Sequence, residues 1–296
     1  MIFYSTTCAV ANSSRRIQQY AFRNHTIVVA YTLCCAPLPT MQAADRRALV
    51  VVLIGPFIDE MHPNLLSGNF PGASFEQLFE ARVMAKIDAF LSKAIADAPD
   101  GQATPHVVLV PSPRDLVALP IFPQPPLARG RFSTGVSSHV HLASNPARID
   151  IGGISVATSS LDTLFMLTAS ELASAPQPGT PRPDRIMRLA SHVLKQRLFM
   201  PLLPPPADVP VDITANMRAG GIDSLPDILI LPSQLTPFAK VLPSVDGGAL
   251  CINPGKLTRN TAGGTFALMS VHPRLQVDGA RMTDIGVRTA VEILKI

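Results

Sequence analysis

Four short apolar runs, each closed by a loop built on proline, constrain this chain more than any other feature. Ala48-Leu49-Val50-Val51-Val52-Leu53-Ile54 ends in Gly55-Pro56-Phe57-Ile58-Asp59, and His106-Val107-Val108-Leu109-Val110 ends in Pro111-Ser112-Pro113-Arg114-Asp115. Asp227-Ile228-Leu229-Ile230-Leu231 ends in Pro232-Ser233, and Ala249-Leu250-Cys251-Ile252 ends in Asn253-Pro254-Gly255-Lys256-Leu257. The unbroken apolar character of the first two fits strands buried on both faces. Between them, Ser74 and Gln77 fit a capping box. Phe75, Leu78, Phe79, Ile87, Leu91 and Ile95 then recur on one helical face, and Pro99-Asp100-Gly101 stops the helix. Strand 48–54, helix 74–98 and strand 106–110 make a βαβ crossover, so the two strands run parallel.

Further along, Arg148-Ile149-Asp150-Ile151 and Ile154-Ser155-Val156-Ala157 flank Gly152-Gly153, a hairpin with a primed turn. Helices are expected over 162–173 and 184–199, joined by an exposed, extended proline-rich linker at 174–183. A second proline cluster, 201–210, leads to the strand at 227–231. The last third alternates short strands (249–252, 265–270, 287–293) with glycine turns and reads as mostly antiparallel.

The strand-end loops resemble those of calcineurin-like metallophosphoesterases with the ligands exchanged. In an active member the first loop would read Gly-Asp-x-x-Asp, and Pro56 replaces the metal-bridging Asp after Gly55. The second would read Gly-Asn-His-Asp, and Pro113 and Arg114 stand for the ligand Asn and the catalytic His. The last would read Gly-His-x-His, and Pro254 and Lys256 replace both imidazoles. Pro232-Ser233 lacks a His as well. Divalent metals need oxygen or imidazole ligands at about 2.0–2.6 Å. Proline offers no side-chain ligand, and a lysine ammonium only donates.

Five motifs in order narrow the resemblance: Gly-Pro-Phe-Ile-Asp (55–59), Val-Pro-Ser-Pro-Arg-Asp (110–115), Phe-Pro-Gln-Pro-Pro (122–126), Leu-Pro-Ser-Gln-Leu-x-x-Phe-Ala-Lys (231–240), and Asn-Pro-Gly-Lys-Leu-Thr with Gly263-Gly264-Thr-Phe-Ala (253–267). Together they resemble the B-subunit family of the DNA polymerase alpha–primase complex, over roughly residues 49 to 296. The resemblance implies a mixed α/β fold, a metallophosphoesterase-like β-sandwich flanked by helices and catalytically dead, without catalytic residues, metal or cofactor. It also implies a nuclear scaffold that binds the zinc-bearing C-terminal domain of the polymerase catalytic subunit in replication initiation. Primase would be linked indirectly, and DNA would be met only through the complex. The resemblance implies an oligonucleotide-binding barrel before the phosphoesterase domain in family members, and such a barrel is not expected within these 296 residues.

The expected organisation is an unmatched segment 1–48 and an inactive phosphoesterase-like domain 49–296. Only about twenty residues separate the apolar run Thr26-Ile27-Val28-Val29-Ala30 from the strand at 48–54, too few for the expected crossover helix. The domain's first strand is therefore expected to be missing, which would expose a sheet edge. The first 44 residues contain no acid. Translated non-coding sequence and an organelle transit peptide both fit that composition, and the segment is set aside from fold reasoning. Residues 1–48 hold Arg15, Arg16, Arg23, Arg46 and Arg47 against Asp45, which accounts for the whole net charge of +4. The rest is neutral and shows none of the basic clustering that phosphate contacts require. No apolar run is long enough for a membrane helix. The four cysteines lack Cys-x-x-Cys spacing and suit free thiols in a reducing compartment.

Several residues admit two readings. His139 and His141 share a strand face and could bind a metal, but no third ligand lies near them in sequence. Asp59 and Asp115 could capture one ion or could accept backbone N–H groups that shape their loops. Gly255-Lys256 lacks the upstream glycine of a phosphate-binding loop, since position 250 is Leu. The stretch 119–127, with Ile121, Phe122, Pro123, Gln124, Pro125 and Pro126 at its centre, either offers a stiff apolar contact to a partner or merely covers the sheet. The rival function is a divergent two-metal phosphodiesterase. That chemistry needs two ions about 3.5–4 Å apart, and no loop keeps an intact ligand set.

Overall fold

A computed structural model describes residues 25–31, 50–68, 74–98, 104–128, 135–172, 184–242, 248–259, 262–272, 276–277, 280–281 and 285–296. In chain order the first half holds β1 (His25–Tyr31), β2 (Val50–Ile54), α1 (Pro63–Leu66), α2 (Phe75–Phe79), a π-helical turn (Glu80–Met84), α3 (Ala85–Ala96), β3 (His106–Val110), β4 (Val140–Leu142), β5 (Ala147–Ile151) and β6 (Ile154–Thr158). The second half holds α4 (Thr163–Ser170), α5 (Arg185–Gln196), α6 (Ile213–Ala219), β7 (Ile228–Ile230), β8 (Phe238–Leu242) and β9 (Ala249–Asn253). It ends with the small ladder β10 (Thr258–Arg259) and β11 (Ala262–Gly263), then β12 (Thr265–Val271), the ladder β13 (Gln276–Val277) and β14 (Ala280–Arg281), α7 (Ile285–Arg288) and β15 (Thr289–Lys295).

Two larger sheets carry the fold, in the orders β15-β12-β1-β2-β3-β4 and β5-β6-β7-β9-β8. Strands β2 and β3 run parallel, from Val50 opposite His106 to Ile54 opposite Val110, as the crossover requires. One core cluster is drawn from both sheets: Val50, Val52, Ile54 and Val108 from one, Ile151, Val156, Ile228 and Ile252 from the other. The alternate residues Val51, Leu53, Val107 and Leu109 pack with Phe79, Val83, Ile87 and Leu91. Both faces of β2 and β3 are thus dry, which is why their sequences show no polar alternation. On the other sheet, Ala157, Leu229 and Cys251 pack with Leu164, Leu189 and Val193 of α4 and α5.

The helix expected from Ser74 forms, with both capping-box hydrogen bonds made. It contains a π turn, in which the Ala85 N–H reaches the Glu80 carbonyl. The extra residue brings both Val83 and Met84 into the core. The hairpin also forms, Arg148 opposite Ala157 and Ile151 opposite Ile154. Gly152 and Gly153 have φ of 60° and 82°, the primed geometry that a Cβ would oppose. The last third is less antiparallel than expected. Strand β9 runs parallel to β7 and antiparallel to β8, while β12 runs antiparallel to both β1 and β15.

Part of the segment before residue 48 joins the sheet. Residues His25–Tyr31 form β1 inside the six-stranded sheet, parallel to β2 on one side and antiparallel to β12 on the other. The expected bare edge at β2 is therefore covered. Six of the seven residues of β1 are apolar or β-branched, and Val29 lies in the two-sheet core. That local β-propensity outweighs the acid-poor composition that sets the segment aside. The connection 32–49, the linker 174–183 and the stop signal at 99–101 lie outside the described residues.

Candidate functional site

The loops that follow β2, β3, β7 and β9 are closed by their own side chains. The first two form one unit. Gly55 N–H donates to the Val110 carbonyl at 2.8 Å, Leu116 N–H to Ile58 at 3.0 Å, and Glu60 N–H to Arg114 at 3.0 Å, with Asp59 opposite Asp115 in an antiparallel bridge. Asp115 is 2% exposed. Its Oδ1 accepts from Phe57 N–H and, at 3.0 Å, from Ile58 N–H. Its Oδ2 accepts from Ser112 N–H at 2.9 Å. A Cβ on Gly55 would stand 2.3 Å from Asp115 Oδ2, so only glycine lets the loops meet. Burial pushes the Asp115 carboxyl up to about 7; the N–H groups of Ile58, Ser112 and Phe57 oppose that, and Asp59 adds to it.

Asp59 pairs with Arg114, whose Nη2 lies 2.6 and 2.7 Å from its two oxygens. Both acids are therefore occupied, Asp115 by backbone donors and Asp59 by a guanidinium. Phe57, fully buried, meets Phe79 edge-on at 5.9 Å and anchors the loop from below. Pro56 and Pro111 are buried, and Arg114 is partly exposed.

Asn253 organises the loops after β7 and β9. Its Oδ1 accepts from Ser233 N–H at 3.0 Å and Gly255 N–H at 2.9 Å, and its Nδ2 donates to the Leu235 and Thr236 carbonyls. All four bonding positions of the buried amide are filled. Gly255 has φ of +72°, and a Cβ there would press on Thr265 Oγ1 at 2.3 Å. Thr265 Oγ1 donates to the Pro254 carbonyl at 2.9 Å. Lys256 contributes its carbonyl, which accepts from Thr265 N–H at 2.8 Å. Pro232, Ser233 and Pro254 are buried beneath this network, Gly264 packs against Lys256, and Gly263 lies in β11. Asp162 ties the β7 loop to α4: it caps the helix through Phe165 N–H and accepts from Gln234 N–H at 2.8 Å.

A further residue, Asn145 after β4, is not singled out by the sequence. It is fully buried. Its Nδ2 donates to Gln124 Oε1 at 2.8 Å and Ser160 Oγ at 2.7 Å; its Oδ1 accepts from Ser159 Oγ and Ser160 N–H, both at 3.1 Å. Its backbone exchanges two more bonds with Gln124. Ser160 is part of this hub. The one sequence signal for it is an Asn-Pro pair just past a strand end, opposite the Gln of Pro-Gln-Pro.

The hub and the core beside it bury two residues of the candidate contact. Phe122 is 0% and Gln124 3% exposed, because Phe122 joins the α4–α5 core and Gln124 faces Asn145. Phe122 N–H also donates to the Pro210 carbonyl. The solvent-facing part is Leu119, Pro120, Ile121 and Pro125, with Pro123 and Pro126 half-buried. Pro123 and Pro125 border a pocket of about 350 Å³ that Arg218 and Ala219 of α6 also line. His139 and His141 meet a third histidine, His106 of β3, yet among the described residues no three or more His, Cys, Asp or Glu side chains are grouped to hold a metal ion. No helix among them is long and apolar enough to cross a membrane.

What these sheets and loops define is a mixed α/β chain whose strand-end site is tied shut by Asp115, Arg114, Asn253 and Asn145. The family model for the B subunit of DNA polymerases alpha and epsilon matches residues 31–240, and the chain belongs to that family. It is 31% identical over 249 residues to the DNA polymerase alpha B subunit of Mus musculus, covering 83% of this chain and 38% of that one. It is 32% identical to the Rattus norvegicus B subunit over 220 residues, 74% of this chain and 34% of that one. With the Schizosaccharomyces pombe B subunit it shares 31% over 282 residues, 89% of this chain and 45% of that one. The chain thus spans less than half the length of these relatives. Among solved structures, Chaetomium thermophilum Vps29 aligns with 92% of this chain and 97% of its own at 10% identity, with a TM-score of 0.27 that carries no argument.

Proposed function

We propose that this chain is the phosphoesterase-like core of a non-catalytic accessory subunit of DNA polymerase alpha–primase. In this reading the two sheets are the sandwich of an inactivated metallophosphoesterase, and Pro56, Pro113, Arg114, Pro254 and Lys256 stand at its former ligand and catalytic positions. The protein acts in the nucleus. It holds the zinc-bearing C-terminal domain of the polymerase catalytic subunit, links primase indirectly, and meets DNA through the complex. Family membership supports the assignment as an accessory chain of the polymerase.

One observation carries the non-catalytic part: both surviving acids are already committed, Asp115 to three backbone N–H groups and Asp59 to Arg114. A hydrolytic site would need those carboxylates to converge on metal instead. The test is a manganese-dependent phosphodiesterase assay on the purified chain, with metal analysis alongside. The expected result is turnover at blank level and no stoichiometric transition metal. Robust turnover abolished by Asp59→Ala would overturn the reading.

A further inference from the structure

Three imidazoles meet at the β3–β4 edge of the six-stranded sheet. His106 opens β3, His141 sits in the middle of β4, and His139 ends the turn before it. His106 Nδ1 and His141 Nε2 stand 3.1 Å apart. The His106 ring stacks on that of His139, centroids 4.8 Å apart and planes 28° apart. His139 Nδ1 lies 3.2 Å from the Pro105 carbonyl, which can only accept, so the proton of that bond sits on His139 Nδ1. These are the titratable side chains that the turn and β4 set against His106.

An N···N hydrogen bond needs one proton and one lone pair. The His106–His141 bond therefore survives while one facing nitrogen is bare, and is lost when both rings are charged. Two stacked imidazoliums also repel each other. What they would act on is short. Strand β4 is a sheet-edge strand with three paired residues, Val140, His141 and Leu142, and the Asn145 loop follows it directly.

We propose that the His106–His139–His141 stack is an acid-sensitive latch, which holds β4 on the sheet while its rings are neutral and releases β4 when they protonate. Burial first, and the charge of His139 second, lower His106 from 6.5 to about 4. A folded value below the unfolded one favours the folded state above pH 6.5, and that contribution is lost as pH falls toward 4.

Hydrogen exchange of the β4 amides, residues 140–142, corrected for the intrinsic pH dependence and referred to the central strand β7, tests this on the intact chain. Between pH 7 and pH 5, protection of β4 is expected to fall relative to β7 by on the order of tenfold. In the double variant His106→Asn, His141→Gln, which keeps amide donors and acceptors near the facing positions but does not titrate, that difference is expected to vanish. Parallel behaviour of β4 and β7 in the unchanged protein overturns the latch, as does a difference that persists in the variant. If the variant does not fold, the comparison within the unchanged protein decides alone.

Discussion

Nη2 of Arg114 reaches both carboxylate oxygens of Asp59, at 2.6 and 2.7 Å, across two loops that follow neighbouring parallel strands. In the function proposed above, Arg114 stands where an active phosphoesterase would keep its catalytic histidine. A cation is thus supplied by the chain itself, and it disfavours a second one nearby.

The first prediction follows from how open this pair is. Arg114 is 41% and Asp59 17% exposed at the side chain, so solvent screens the attraction. Arg114→Ala and Asp59→Ala are each expected to cost no more than about 1 kcal/mol in urea unfolding. Neither change should create manganese-dependent phosphodiester hydrolysis, because the prolines at 56, 113 and 254 still offer no ligand.

Asp115 behaves differently because it is buried. Its carboxyl lies at about 7 in the folded chain against 3.8 in the ordinary state. A raised value stabilises the fold fully below pH 3.8, and that contribution is lost as pH rises through 7. Asp115→Asn should remove this slope from urea midpoints measured between pH 4 and 7. The variant should also lose about 1–3 kcal/mol, since an amide nitrogen cannot accept from Ser112 or Phe57 N–H. His106 contributes with the opposite sign in an overlapping window, so the two slopes separate only when each variant is measured against the unchanged chain.

Asn145→Ala is expected to destabilise by about 3 kcal/mol, because the Gln124 amide and the Ser159 and Ser160 hydroxyls are left buried without their partner. Asn145→Asp should fare no better, since two of the bonds need an N–H donor. Thermal unfolding of the two variants checks both statements.

The surface part of the 119–127 stretch can be tested without breaking the core. Leu119→Asp with Ile121→Asp should leave far-ultraviolet circular dichroism unchanged, since both side chains face solvent, and should weaken capture of the polymerase partner. Phe122→Ala is expected to cost about 3–5 kcal/mol and to unfold or soften the chain instead. Full capture by the folded Leu119, Ile121 variant would remove this segment from the interface.

Much of the framework is legible in the sequence because it is local. Continuous apolar runs mark β2, β3, β7 and β9, the Ser74–Gln77 box marks the helix start, and the Gly152-Gly153 pair marks the hairpin. The loop residues at 55–59 and 253–256 are legible as positions, though not in what they bond. The pairings of Asn145, Gln124 and His106 escape a sequence reading because their partners lie 14 to 35 residues away, and no local period encodes such contacts. Phe122 reads as outward because proline-rich backbone has neither the helical nor the strand period from which a buried face is inferred. Strand β1 is obscured by its neighbours' composition, although its own residues favour a strand.

The most direct test of the central claim is size-exclusion chromatography of this chain mixed with purified DNA polymerase alpha catalytic subunit that retains its C-terminal domain. Co-elution of the two chains at a one-to-one ratio is the predicted result. Elution of this chain alone, while it remains folded by circular dichroism, would contradict the account.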